Sequence, residues 1–157
     1  PPRSTLFPYT TLFRSIVLSH DGARPFVKAE NIIHGIEGAI KYGACVIGVP
    51  VKDTIKVIGD NLNIDKTPKR DVLWAAQTPQ CFRKNIIMEG YRKAIEDEFV
   101  GTDDSVLVER LGIDVRMIMG SYENIKITTP EDLIIAESII NDKDRIYRKR
   151  GFVFESR

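Results

Sequence analysis

From Ile16 onward the apolar residues follow two alternating periods, short continuous runs and longer stretches in which they return every three or four positions. Residues 16–19, IVLS, predict a short strand. Residues 29–42 place Ile32, Ile33, Ile36 and Ile40 at helical spacing and end before Gly43, a residue suited to the position after a helix. The segment 44–51, ACVIGVPV, is almost wholly apolar, as a strand covered on both faces must be, and completes a β-α-β unit. Two shorter runs, 54–58 and 62–66, flank Gly59, Asp60 and Asn61 and predict a projecting hairpin. Residues 84–99 predict an amphipathic helix with Ile86, Ile87, Tyr91 and Ile95 on one face. Thr102 stands where an N-cap would open a further helix that stops at Gly112. Strands are expected at 115–119 and 125–128. Then TTPEDL opens a last helix, running to about Ile140, with Thr129 as N-cap and Pro130 in its first turn. Helices alternating with strands predict an α/β domain with a mainly parallel sheet.

Composition narrows the function classes. The 157 residues are 43% apolar and 29% charged, as in an ordinary single globular domain. With 23 Lys and Arg against 22 Asp and Glu, no overall field favours nucleic acid or an anionic membrane, so neither is expected as a partner. No apolar run approaches the roughly 20 residues needed to span a bilayer, and no secretory signal is apparent, so a cytoplasmic location is expected. Cys45 and Cys81 lack metal-ligand spacing and are expected to be reduced and structural. The first 15 residues, PPRSTLFPYTTLFRS, repeat TLF and have neither period. They are expected to be a leader foreign to the domain. Residues 141–157 are charged and poorly periodic and are expected to be a solvated tail.

The stretch VLSHDGARPF sets His20, Asp21 and Arg24 just beyond the end of a strand, where ligands sit in open α/β sheets. An Asp there can bind Mg²⁺, and an Arg three residues on can grip a phosphate; the same two residues can also pair with each other and fix a turn before Pro25. Lys126 falls inside apolar NIKIT, where an ammonium needs an edge or an anion. Thr78 in QTPQ and Thr102 before a helix offer hydroxyls to a phosphate, or serve as turn and cap. Asp103 and Asp104 are expected to be first-turn helix acids rather than a catalytic pair.

In order and spacing, HDGARPF, VPVKDTIK, LWAAQTPQCF, GTDDSVLVERLG and ENIKITTPEDLIIAE resemble the 2-C-methyl-D-erythritol 4-phosphate cytidylyltransferases. The resemblance implies a Rossmann-like domain of the nucleotide-diphospho-sugar transferase type over residues 16–140, with an arm at about 52–72. It also implies a reaction of the non-mevalonate isoprenoid precursor pathway, in which the acceptor's phosphate attacks the α-phosphorus of CTP and pyrophosphate leaves. Asp21 would match the Mg²⁺-binding aspartate and Arg24 its neighbouring arginine, while Thr78, Thr102 and Lys126 would surround the acceptor phosphate. Arg70 would reach that phosphate from the partner subunit of a homodimer joined through the arm.

Such a reaction needs no nucleophilic Ser or Cys, because the attacking phosphate oxygen is already ionised. The related ribitol-5-phosphate cytidylyltransferases share several of these segments, but LWAA and TDDS favour the methylerythritol enzymes. Those enzymes open with a glycine-rich nucleotide loop, which has no counterpart in these 157 residues. This predicts a C-terminal portion with little transferase activity of its own, the rival being a non-catalytic phosphosugar-binding or dimerisation module. A Rossmann dehydrogenase is disfavoured because the dinucleotide glycine fingerprint is missing.

Overall fold

The computed structural model describes residues 16–149; the leader expected at 1–15 and the end of the chain, 150–157, lie outside the described residues. Four strands form one sheet, in the order β1 (Ile16–Ser19), β5 (Trp74–Arg83), β2 (Ala44–Pro50), β6 (Arg116–Met119). β1, β2 and β6 run in one direction, and β5, between β1 and β2, runs against them. The β-α-β unit therefore exists, with β5 inserted between its strands.

Alternation along the two central strands covers both faces of the sheet. Ala44 and Phe82 point to one face and pack with Ile87 and Val108 from α2 (Lys84–Glu96) and α3 (Asp104–Glu109). Their neighbours Cys45 and Cys81 pair across the strands on the other face, against Ala39 of α1 (Ala29–Tyr42). Both cysteines are free and buried, as expected. Burial on both faces explains why 44–51 carries almost no polar residue.

The face that α1 buries differs from the one its isoleucines predict. Asn31, Gly35, Gly38 and Ala39 are buried, Ile32 and Ile36 only partly so, and Ile33 and Ile40 are exposed. Steric distance decides this. A Cβ on Gly35 would stand 2.8 Å from Cys81 Sγ, and one on Gly38 2.8 Å from Cys45 Sγ. Only a strip of small residues lets the helix approach so closely. On α2, Ile87, Gly90 and Ala94 are buried while Tyr91 and Ile95 are exposed, for the same reason.

The hairpin forms a separate two-stranded sheet, β3 (Val57–Ile58) with β4 (Ile64–Lys66), shorter than expected because a 3₁₀ turn at Asp60–Leu62 takes up the connection. Residues 125–128 are not a strand. Ile127 donates its N–H to the Ala23 carbonyl (2.8 Å), in a loop, and no ladder forms. The last helix, α4 (Pro130–Lys149), opens as predicted: Thr129 Oγ1 accepts from Asp132 N–H (3.4 Å), and Asp132 Oδ2 accepts from Thr129 N–H (2.8 Å). It continues beyond Ile140 to Lys149, a stretch in which Lys and Arg are good helix formers and no Gly or Pro intervenes.

The N-cap of α3 is Asp103 rather than Thr102. Asp103 Oδ1 accepts from Val106 N–H (3.1 Å) and Ser105 Oγ (2.9 Å), and Oδ2 accepts from Gln80 Nε2 (2.9 Å). Replacing Asp103 by Ala removes the cap and is expected to cost about 1–2 kcal/mol. Thr102→Ala is expected to stay within about 0.5 kcal/mol of the parent. Urea denaturation of both variants checks this, and equal losses would return the cap to Thr102.

Candidate active site

The site forms where β1 ends beside an irregularity in β5. The β2–β5 register holds from Ala44–Phe82 to Val46–Gln80 and resumes at Gly48–Ala76, so Gln77, Thr78 and Pro79 stand opposite Ile47 alone. Pro79 has no N–H to give a ladder, and such bulges redirect side chains. Thr78 Oγ1 accepts from the N–H of Asp21 at 3.0 Å, just past the last β1 pair, Ser19–Gln80.

His20 closes this turn. Its Nε2 lies 3.2 Å from the Arg24 carbonyl and its Nδ1 2.9 Å from Thr78 Oγ1. A carbonyl only accepts, so Nε2 carries a proton, and in the neutral ring Nδ1 receives the Thr78 hydroxyl proton. Arg24 N–H donates to the Asp21 carbonyl (3.0 Å), completing a turn immediately before Pro25.

Three charged groups meet here. Asp21 Oδ2 lies 3.2 Å from Arg24 Nε and 3.2 Å from Lys126 Nζ. Burial would raise the Asp21 carboxyl, but the hydrogen bonds and charges of Lys126 and Arg24 outweigh it and hold the group below its ordinary value. The ion-pair alternative raised by HDGAR is realised: the pair fixes the turn, and two cations on one carboxylate leave the cluster a net positive charge. Lys126 finds the anion that its apolar neighbours require. Its side chain is about half exposed at 48%, so the pair contributes about 1 kcal/mol at most, and placement of charge is its main consequence.

Nothing local in the sequence singles out Asn124, yet it is fully buried behind this cluster. Its Nδ2 donates to the Thr78 carbonyl (2.9 Å), and its own carbonyl accepts from Arg24 NH1 (2.8 Å). Gln80 is a second residue that the sequence reading misses. Its Oε1 accepts from Ser105 N–H (3.0 Å) and its Nε2 reaches Asp103, joining the Thr78 strand to the start of α3. The doubled glutamine of QTPQ is a legible signal for it.

Two sequence candidates stand apart from the cluster. Arg70, in a 3₁₀ turn at the arm, donates to the Lys52 carbonyl (3.1 Å). Thr102 borders an open cavity of about 580 Å³ between α2 and α3, with Tyr91, Phe99 and Leu107. Asp103 caps and Asp104 accepts from the Tyr91 hydroxyl, pushing the phenol up to about 12, so the two acids act in structure rather than as a catalytic pair.

Comparison with known proteins gives a consistent result. The family model for 2-C-methyl-D-erythritol 4-phosphate cytidylyltransferase matches residues 10–142. The proteins of that name from Clostridioides difficile (strain 630) and Caldanaerobacter subterraneus subsp. tengcongensis are 55% and 57% identical over 140 and 122 residues. The alignments cover 88% and 78% of this chain but 59% and 54% of those proteins, so the chain spans just over half the length of the curated relatives it matches. Among solved structures, 4-diphosphocytidyl-2C-methyl-D-erythritol synthase from Anaerococcus prevotii superposes with a TM-score of 0.76 at 39% identity, covering 85% of this chain and 62% of that one. The cytidylyltransferase from Thermus thermophilus gives 0.73 at 32% identity, covering 83% and 66%.

A depressed Asp21 pKa carries a pH signature. The paired, ionised carboxylate adds stability above its unfolded pKa of about 4, and that stability is lost as pH falls through the lower folded value. Asp21→Asn is expected to lower Tm at neutral pH and to flatten the decline of Tm between about pH 4 and pH 2. Thermal melts across that range test it; parallel curves for parent and variant would contradict the pairing.

Proposed function

We propose that this chain, which belongs to the 2-C-methyl-D-erythritol 4-phosphate cytidylyltransferase family, carries the acceptor-phosphate site of a CTP-dependent cytidylyl transfer. In this reading a phosphate oxygen of 2-C-methyl-D-erythritol 4-phosphate forms a new bond to the α-phosphorus of CTP, the α–β bridge breaks, and pyrophosphate carries away the electron pair. The observation that supports it most is the meeting of Arg24 and Lys126 on Asp21 beside Thr78. The attacking group is a dianion and the electrophile a polyanion, so the protein's main task is to bring them together and offset their repulsion.

Each residue has a part in that task. Arg24 and Lys126 supply cations to the acceptor phosphate, and Thr78, whose own hydroxyl proton goes to His20, holds the Asp21 turn beside them. No base is required.

Asp21 is the residue we assign to Mg²⁺. The fit rests on an ionised, part-exposed carboxylate with both protein cations on Oδ2, and Mg²⁺ commonly uses one or two carboxylates together with substrate phosphates. When bound, the ion would offset charge on the triphosphate and polarise the phosphorus under attack.

The arm enters as a dimer element. Ile58 and Ile64 on the small sheet, Leu62 in its connecting turn and Val72 in the 3₁₀ turn that follows are all exposed, with little core of their own, which supports a partner copy covering them. Arg70 would then serve the partner's acceptor phosphate. A cytoplasmic location belongs to the same proposal; among the described residues no helix is long and apolar enough to cross a membrane.

The test is pyrophosphate release by the full-length polypeptide carrying this sequence, with CTP, Mg²⁺ and either 2-C-methyl-D-erythritol 4-phosphate or ribitol 5-phosphate. Turnover with the first and not the second is expected; no turnover with the first would overturn the proposal. Asp21→Ala is expected to abolish metal-dependent turnover, and wild-type rates in that variant would remove Asp21 from the metal site. Lys126→Ala is expected to reduce kcat/KM for the acceptor by roughly 100-fold, and an unchanged value would contradict its role.

A further inference from the structure

Lys126 is carried by a segment that has no strand ladder to hold it, so something else must set the position of its ammonium. From residue 120 to residue 127 the backbone is fastened at separate points. Gly120 N–H donates to the Gly48 carbonyl (2.7 Å), Gln77 Nε2 to the Ser121 carbonyl (2.9 Å) and Ile127 N–H to the Ala23 carbonyl (2.8 Å). Asn124 is the one fastening whose side chain is wholly buried, and it faces both halves of the site. Its amide nitrogen holds the Thr78 carbonyl at 2.9 Å and lies 3.4 Å from Gln77 Oε1, while its backbone carbonyl receives the Arg24 guanidinium at 2.8 Å.

We propose that Asn124 is a positioning residue, whose buried amide locks the Lys126 segment to the Thr78 turn and so sets where Lys126 and Arg24 meet the acceptor phosphate. This rests on the acceptor-phosphate reading of those two cations. The unpaired end of the amide supports it. Asn124 Oδ1 is buried and meets no hydrogen-bond partner among the described residues, so the pairing of this side chain is carried by its donor end. A residue present only to fill volume would do so better without polar atoms. The donor's target is also specific, because Thr78 is the residue that holds the Asp21 N–H.

The test uses the full-length polypeptide and two variants, Asn124→Asp, which keeps the shape and loses the donor, and Asn124→Ala, with two readouts. In Asn124→Asp, kcat/KM for the polyol phosphate is expected to fall by roughly 10- to 100-fold while KM for CTP changes by no more than about twofold. Amide hydrogen exchange over residues 120–128 is expected to quicken, with β2 and β5 still protected. Wild-type acceptor kinetics with an unchanged exchange pattern would overturn the proposal. So would a parallel loss of CTP and acceptor parameters together with Tm, which would mean less folded enzyme. If Asn124→Ala does not fold, Asn124→Asp alone decides. If the unsubstituted polypeptide transfers no cytidylyl group, the function proposed above fails separately, and retained protection of 120–128 in Asn124→Asp would then overturn the role of Asn124.

Discussion

Oδ2 of Asp21 is the point on which the site depends, because a guanidinium and an ammonium from distant parts of the chain both approach it at 3.2 Å. Each pair alone is of the partly exposed kind that adds little to stability. Together they hold two positive charges side by side that would otherwise repel, and they keep the carboxylate ionised. A site organised in this way is prepared for a second anion before it arrives. The cost of bringing cations together is met within the protein, so an anion bound there would not have to reorganise them.

The fold supplies the geometry for that arrangement through two constraints on its central strands. Close approach of α1 to Cys45 and Cys81 fixes one face of the sheet, and the Phe82 cluster fixes the other, so β2 and β5 cannot slide. Freedom is left at the register break around Thr78. There the strand gives up ladder bonds and uses its polar groups instead to hold the Asp21 turn on one side, Asn124 on another and, through Gln80, the first turn of α3. Rigidity of the core thus reaches the Asp21 cluster through side-chain hydrogen bonds that start from one strand.

What could be read from the sequence follows from the range of each interaction. The HDGAR turn is local, and its charges at a strand end point to chemistry without a structure. The elements are legible because apolar period is a property of the chain. Which face of α1 is buried is not, since hydropathy ranks isoleucine above glycine whereas contact with Cys45 and Cys81 is decided by distance. Residues 125–128 resemble a strand because an extended loop and a strand share the same alternation. Adjacent Thr102 and Asp103 are equally good caps in sequence, and the choice falls to Asp103 through Gln80, which spacing cannot show. Asn124 pairs with a carbonyl 46 residues away and leaves no periodic trace.

Arg24 and Lys126 share one carboxylate oxygen of Asp21 and should therefore act as one unit, which a double-mutant cycle can read. The cycle combines Arg24→Ala and Lys126→Ala in the full-length polypeptide and reads kcat/KM for the polyol phosphate. Strongly non-additive losses are predicted, with a coupling above about 1 kcal/mol, because either truncation disturbs the charge that positions the other. Losses that add to within about 0.5 kcal/mol would mean that the two cations work independently, and would contradict it.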